Sequence, residues 1–215
     1  MPVKNGADYI EEALDGIKRQ KMNVEIIVVN DGSSDNTAEI ATAMGCKLIN
    51  NPVNLGNIKA RNIGLRMATG NFIMFHDHDD VMRDGALHDL YFTLDENPEY
   101  MAVMAKVQDF VSPELDEIQK RSIKIKAQSY YGLLTGAALF RKEVFDIIGV
   151  FDENLKQAEG LELQMRLRQY NIQVKQLDIV AANRRVHISN ISRTGQSALF
   201  EDQTAILRAK LRGLK

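Results

Sequence analysis

Apolar and polar positions along the chain change their period several times. Residues 7–20, ADYIEEALDGIKRQ, space their apolar side chains as a helix does, so Ile10, Ala13, Leu14 and Ile17 share one face. VEIIVV, residues 24–29, is β-branched and almost wholly apolar, the pattern of a strand covered on both faces. TAEIATAM predicts a short helix stopped by Gly45, and CKLINN a weaker strand. IKARNIGLRMA predicts a helix with Ile63 and Met67 four apart and Gly70 at its end. NFIMF then reads as a strand and ALHDLYFTLDEN as a helix. This alternation argues for an α/β fold, a mainly parallel sheet with helices on both faces. Ligands of such sheets bind outside the carboxyl ends of the strands.

The second half is less regular. MAVMAKVQDF predicts a strand, and residues 112–128 are polar and charged, as in a mobile loop or an amphipathic insertion. GAALF predicts a strand running into a helix at RKEVFDII. LELQMRLRQY predicts a helix with Leu161, Met165 and Leu167 in the core, and IQVKQLDIV alternates like a half-exposed strand. The last helix, ALFEDQTAILRAKLRG, turns Leu199, Ile206, Leu207 and Leu211 inward. No domain boundary stands out, so residues 1–215 are expected to form one domain.

Composition narrows the class. With 215 residues, 45% hydrophobic and 26% charged, the chain has the make-up of an ordinary soluble globular protein. A net charge of -2 gives no bulk attraction for nucleic acid. No apolar run approaches membrane-spanning length, and the N-terminus lacks a signal-peptide pattern. Cys46 is the only cysteine, which excludes an internal disulfide and a Cys-rich zinc site. A cytoplasmic setting is the default expectation.

Three polar clusters then change the picture. VVNDGSSDNT places Asn30 and Asp31 at the tip of the best strand, where they can hydrogen-bond a base edge or a ribose. Gly32 permits a tight turn after them, and Ser33, Ser34 and Asp35 can cap the next helix. NLGNIKARNIGL carries Arg61, whose planar fork suits a phosphate, although for this cluster alone a solvated surface arginine is the better reading. Gly64 inside that helix implies close packing. FHDHDD crowds Asp77, Asp79 and Asp80 into four residues. Asp77 and Asp79, two apart in extended chain, share a face and can reach one divalent cation. Each cluster also has a bland explanation: a capped loop, a solvated helix, an acidic turn.

Their order along the chain resembles glycosyltransferase family 2 of the GT-A fold. The resemblance runs from PVKNG through VNDGSSDNT, NLGNIKARNIGL and ATGNFIMFHDHDD to TGAALFRKEVFDIIGVFDENLKQAEGLELQMRL. It implies that Pro2 and Asn5 border the nucleotide base and that Asp31 bonds it, usually as uracil. It implies that Arg61 lies near the phosphates, and that Asp77 and Asp79 touch the ribose and a Mn²⁺ or Mg²⁺ on the diphosphate. Asp80 would orient the site, and His187 would complete the metal shell. The implied reaction moves a sugar from a nucleoside-diphosphate sugar, UDP-linked by preference, to a hydroxyl of a sugar, lipid-linked or protein acceptor, with inversion. Cell-surface polysaccharide synthesis is the implied setting. Residues 1–107 would form the nucleotide half, 108–190 the acceptor half and 197–215 a terminal helix. Lys210, Arg212 and Lys215 on that helix could rest on a membrane surface, although a solvated face is simpler.

The chain departs from the family pattern twice. Gly160 stands where relatives carry the Asp of an acidic pair, leaving Glu159 as the candidate base and Glu162 as a weaker one. The competing expectation is a nucleotide-sugar binder that has lost its base. A nucleotidyltransferase is disfavoured, because no Gly-rich phosphate loop precedes a basic residue near the N-terminus. Relatives also place an apolar strand before the first loop. Here Met1 stands at its end, so the expectation is that the native chain starts upstream or that another segment fills the gap.

Overall fold

The structure, a computed structural model, describes residues 1–132, 136–190 and 196–213. A three-stranded parallel sheet has the order β1 (Pro2–Val3), β2 (Ile27–Asp31), β3 (Lys47–Asn51). Helix α1 (Ile10–Lys18) follows β1, α2 (Thr37–Ala43) follows β2, and α3 (Asn57–Met67) follows β3. The second sheet contains β4 (Phe72–Met74), β5 (Val81–Met82), β6 (Ala102–Val111), β7 (Tyr130–Tyr131), β8 (Ala138–Arg141) and β9 (Val174–Val186). Its order is β4-β8-β6-β9-β5, with β7 beside β6. Helices α4 (Ala86–Asp95), α5 (Glu117–Ser122), α6 (Val144–Ile148), α7 (Glu159–Gln169) and α8 (Gln196–Gly213) complete the chain.

The expected parallel pairing holds in the first sheet and for β6 with β9. The pairs β4–β8, β6–β8, β6–β7 and β5–β9 are antiparallel, so the second sheet is mixed and the fold is α/β without being mainly parallel. Apolar periodicity marks a strand but does not carry its direction. Strand β2 begins three residues later than the apolar run and ends two later. Val24 is 38% exposed, whereas Asn30 and Asp31 are held in register opposite Asn50 and Asn51. The Asn30 side chain donates to Asn50 Oδ1 at 2.9 Å, so polar residues extend the ladder. The proposed division after residue 107 falls inside β6, a strand shared by both halves.

Between Ile26–Ile27 on one side and Phe72–Phe75 on the other lies an apolar cavity of about 510 Å³. Only the two residues of β1 pair with the facing edge of β2, and the Met1 ammonium donates to Ile27 O at 2.8 Å. Burial, with help from Arg61, pushes that ammonium down to about 5. No other described segment adds a strand there.

Several expectations about individual elements change on packing. Residues 112–128 form a capped turn: Asp116 and Gln119 make a reciprocal capping box for α5. Leu115 and Ile123 then bury against Val186. In α7 the fully buried residues are Leu163 and Leu167, while Leu161 and Met165 are only half-buried. In α8 Ile206 packs on the main core and Leu199 is half-buried, but Leu207 is 59% exposed. The side chain of Leu211 lies outside the described residues. A Cβ on Gly64 would sit 3.4 Å from Val29 Cγ2, in contact with β2.

The main core fixes the site. Phe75, Phe140, Phe145 and Phe151 meet as mostly edge-on rings, with Phe75 and Phe151 centroids 4.9 Å apart. Phe75 leads directly into residues 76–80, and Phe151 into the loop before α7. Asn62, fully buried on α3, clamps that loop. Its amide donates to Phe151 O and Glu153 Oε1, both at 2.9 Å, and its Oδ1 accepts Phe151 N at 3.0 Å. Asn62→Ala orphans both Phe151 backbone groups, at about 1–3 kcal/mol each. Urea unfolding should therefore show a loss of about 2–6 kcal/mol, whereas an unchanged midpoint would mean that water replaces the amide.

Candidate active site

The first loop and the loop after β2 are tied together. Asn5 N donates to Ser33 Oγ at 2.8 Å, and Ser34 N donates to Asn5 Oδ1 at 2.8 Å. Asn5 adopts φ 50°, a left-handed conformation that asparagine tolerates. Thus Asn5 shapes this corner with its side chain, and Pro2 is buried in the β1–β2 pair. Gly32 has φ 73°, and a Cβ there would lie 2.9 Å from Asn54 N. That close approach brings the 51–56 loop over Asp31. Asp31 is 4% exposed, and both of its oxygens are occupied. Oδ1 accepts Asn51 Nδ2 at 2.8 Å and Leu55 N at 2.9 Å, while Oδ2 accepts Gly56 N at 2.8 Å.

The three crowded aspartates each have a different protein partner. Asp77, 37% exposed at its side chain, accepts Arg61 Nη2 at 2.6 Å. Asp79 Oδ2 lies 3.0 Å from His187 Nε2 and accepts Asn190 Nδ2 at 3.1 Å. Burial raises Asp79, but the His187 contact and neighbouring histidines outweigh it and hold the carboxyl below its usual range. Asp80 is 6% exposed and accepts the backbone N–H of Arg185 at 3.0 Å. Burial, then the charges of Asp77 and Asp79, push Asp80 well above the ordinary carboxylate range. His76 is buried, and burial pushes it below its usual range. His78 lies against the first loop: a Cβ on Gly6 would meet its ring at 2.5 Å.

Arg61 is not the solvated surface arginine that the sequence also allows. It is 4% exposed and bridges two carboxylates, Asp77 through Nη2 and Glu159 through Nη1 at 2.9 Å. Burial alone would lower Arg61, but those two carboxylates raise it. Glu159, the first residue of α7, is 7% exposed and also accepts Asn57 Nδ2 at 3.3 Å. Its Oε2 is buried with no hydrogen-bond partner. Burial pushes Glu159 above its usual range, against the pull of Arg61. Glu162 is committed elsewhere, in a 2.6 Å pair with Arg166.

Sequence reasoning missed Arg185. It is 3% exposed and lies between the rings of Tyr9 and Phe110, with centroids 4.9 and 4.7 Å away. It donates to Asp79 O and Ser112 Oγ and pairs with Glu12. The one available signal was RRVH, two arginines just before the candidate histidine.

A divalent cation fits this donor set. Ser189 Oγ lies 2.8 Å from His187 Nδ1, so that nitrogen can carry the ring proton and leave Nε2 as a ligand facing Asp79. No cluster of three or more His, Cys, Asp or Glu forms a ready-made cage among the described residues. Two protein ligands suit Mg²⁺ or Mn²⁺, which commonly complete their shells with phosphate oxygens and water.

A family model described as glycosyl transferase family 2 matches residues 1–151. The chain belongs to glycosyl transferase family 2. An uncharacterized glycosyltransferase of Rickettsia typhi is 28% identical over 215 residues, covering 94% of this chain and 67% of that one. Among solved structures, S. aureus TarS in complex with UDP-GlcNAc matches with TM-score 0.70 at 22% identity, covering 88% of this chain and 58% of that one. A mannosyltransferase from Pyrobaculum calidifontis, in complex with GDP-Man and Mn²⁺, matches with TM-score 0.67 at 19% identity, over 85% and 55% of the two chains. These neighbours place the family 2 chain in the GT-A fold. No described helix is long and apolar enough to cross a membrane.

Arg61→Met leaves Glu159 and Asp77 without their shared cation. Breaking a buried pair costs about 3–5 kcal/mol, and the lower end applies because Asp77 is partly solvated. Arg61→Lys should recover only part of that stability, since an ammonium lacks the two-sided fork. Chemical denaturation of both variants checks the order; equal stability of all three proteins would contradict it.

Proposed function

We propose that this family 2 chain transfers a sugar from a nucleoside-diphosphate sugar, with UDP as the preferred carrier, to an acceptor hydroxyl. The observation that carries the proposal is one constellation: Asp77, Asp79 and Asp80 stand in a single loop, and Arg61 ties Asp77 of that loop to Glu159 at the start of α7. The UDP-GlcNAc and GDP-Man complexes of the two structural neighbours support a nucleotide-sugar donor. A growing cell-surface polysaccharide carries the hydroxyl this chemistry needs.

Asp31, by ordering residues 51–56, shapes the wall against which the base would rest, beside the corner built by Pro2 and Asn5. Asp77 is the exposed member of the acidic loop and takes the ribose side. Asp79 and His187 would hold Mn²⁺ or Mg²⁺, which when bound offsets charge on the leaving diphosphate. Asp80 fixes the loop to β9 through the Arg185 amide. Glu159 accepts the acceptor's proton. The acceptor oxygen bonds to the anomeric carbon as the bond from that carbon to the diphosphate oxygen breaks. The electron pair leaves with the nucleoside diphosphate, and one displacement inverts the centre.

A second reading rests on one observation: Glu159 is 7% exposed and tied to Arg61 and Asn57, with Gly160 beside it. On that reading the chain binds nucleotide-sugar without turning it over. The rate with a true acceptor separates the two. Glu159→Gln should lower kcat by about 10²- to 10⁴-fold while nucleotide binding stays. Because burial raises Glu159 and its ionised form is the base, the rate should fall with decreasing pH along a limb above the ordinary carboxylate range. Full activity in Glu159→Gln would remove Glu159 as the base. Binding without turnover in the wild type, with activity appearing in Gly160→Asp, would establish the second reading.

A further inference from the structure

Helix α7 begins at Glu159 with an N-cap residue, Ala158, that has no side chain able to accept a hydrogen bond. Amides at a helix N-terminus need an acceptor when they are buried, and Ala158 is 2% exposed. The acceptor comes from across the molecule. Asp202 on α8 is 5% exposed, and its Oδ2 accepts three consecutive backbone N–H groups. These are Lys156 at 2.7 Å, Gln157 at 2.6 Å and Ala158 at 3.0 Å. A carboxylate at this point also meets the positive end of the helix dipole. An exposed pair, Lys156 with Glu201 at 3.0 Å, flanks the contact, and Ile206 anchors the same helix in the main core.

The three amides end where Glu159 begins. Backbone position at 156–158 therefore sets where the Glu159 carboxylate stands, and Arg61 and Asn57 hold it from the other side. We propose that Asp202 is a positioning residue for Glu159: α8 fastens the start of α7, so that the base meets its substrate in one place. This rests on Glu159 as the base proposed above. The face of α8 expected to be apolar thus has an acid at its buried centre. The donor contacts, at Asp77, Asp79 and His187, come from other loops, so Asp202 should govern turnover and not donor binding.

Two substitutions and two readouts test it. Asp202→Ala should lower kcat by about 10- to 100-fold, as a small misplacement of a reacting group does, with donor KM unchanged. Asp202→Asn keeps a carbonyl oxygen that can accept the same bonds, and should restore most of kcat. Hydrogen exchange in Asp202→Ala should quicken at residues 156–160 and nowhere else. Wild-type kcat in Asp202→Ala would overturn the proposal. So would a loss of donor binding in step with kcat, or loss of protection throughout the chain. Glu159→Gln in parallel separates the two levels. If it is inactive while Asp202→Ala is normal, the base stands and the positioning role falls. If it is fully active, both fall, and local exchange in Asp202→Ala then reports a helix cap alone.

Discussion

The Arg61 guanidinium holds together three parts of the chain that are distant in sequence. It lies on α3, takes Asp77 from the loop after β4, and takes Glu159 from the start of α7. Burying the arginine without its carboxylates would leave an unpaired charge, at a cost of several kcal/mol, and so would burying Glu159 without the arginine; Asp77, partly solvated, loses less. Each element is thus placed by the other two. Asn62, one residue along the same helix, fastens the loop that leads to α7. The acidic loop and the candidate base face each other because one helix grips both.

Crowded carboxylates suggest a cation as the remedy, but the protein supplies a separate answer for each. Asp77 has an arginine, Asp79 a histidine and an asparagine, and Asp80 a backbone amide. The answers differ in strength, so the three acids differ in character. Asp79 is held below the usual range, and Asp80 is pushed well above it by burial and by its neighbours. A loop arranged this way can accept a cation at Asp79 without losing its shape, since the other two acids are held independently.

Much of this was legible in the sequence. The apolar runs located most strands and helices, and the order of the three polar clusters carried the family and the candidate residues. What stayed hidden was long-range pairing. Strand direction does not enter periodicity, so the antiparallel partners of β4, β5, β7 and β8 were not foreseen. Arg185 reads as a surface charge until Tyr9, Phe110 and Glu12, which are distant in sequence, close around it. Asp202 reads as a polar residue on an amphipathic helix, because its partners are backbone amides with no sequence signature. The burial of Arg61 is hidden in the sequence, because its two carboxylate partners lie 16 and 98 residues away.

We propose that the loop from Asp77 to Asp80 and His187 together receive a nucleoside diphosphate with a divalent cation. Calorimetric titration of UDP and GDP into the protein, with Mn²⁺ and then with a chelator, tests it most directly. Saturable UDP binding that needs Mn²⁺ and is lost in Asp79→Asn is the predicted result. Binding of neither nucleotide with Mn²⁺ present, or binding indifferent to both the metal and Asp79→Asn, would contradict it.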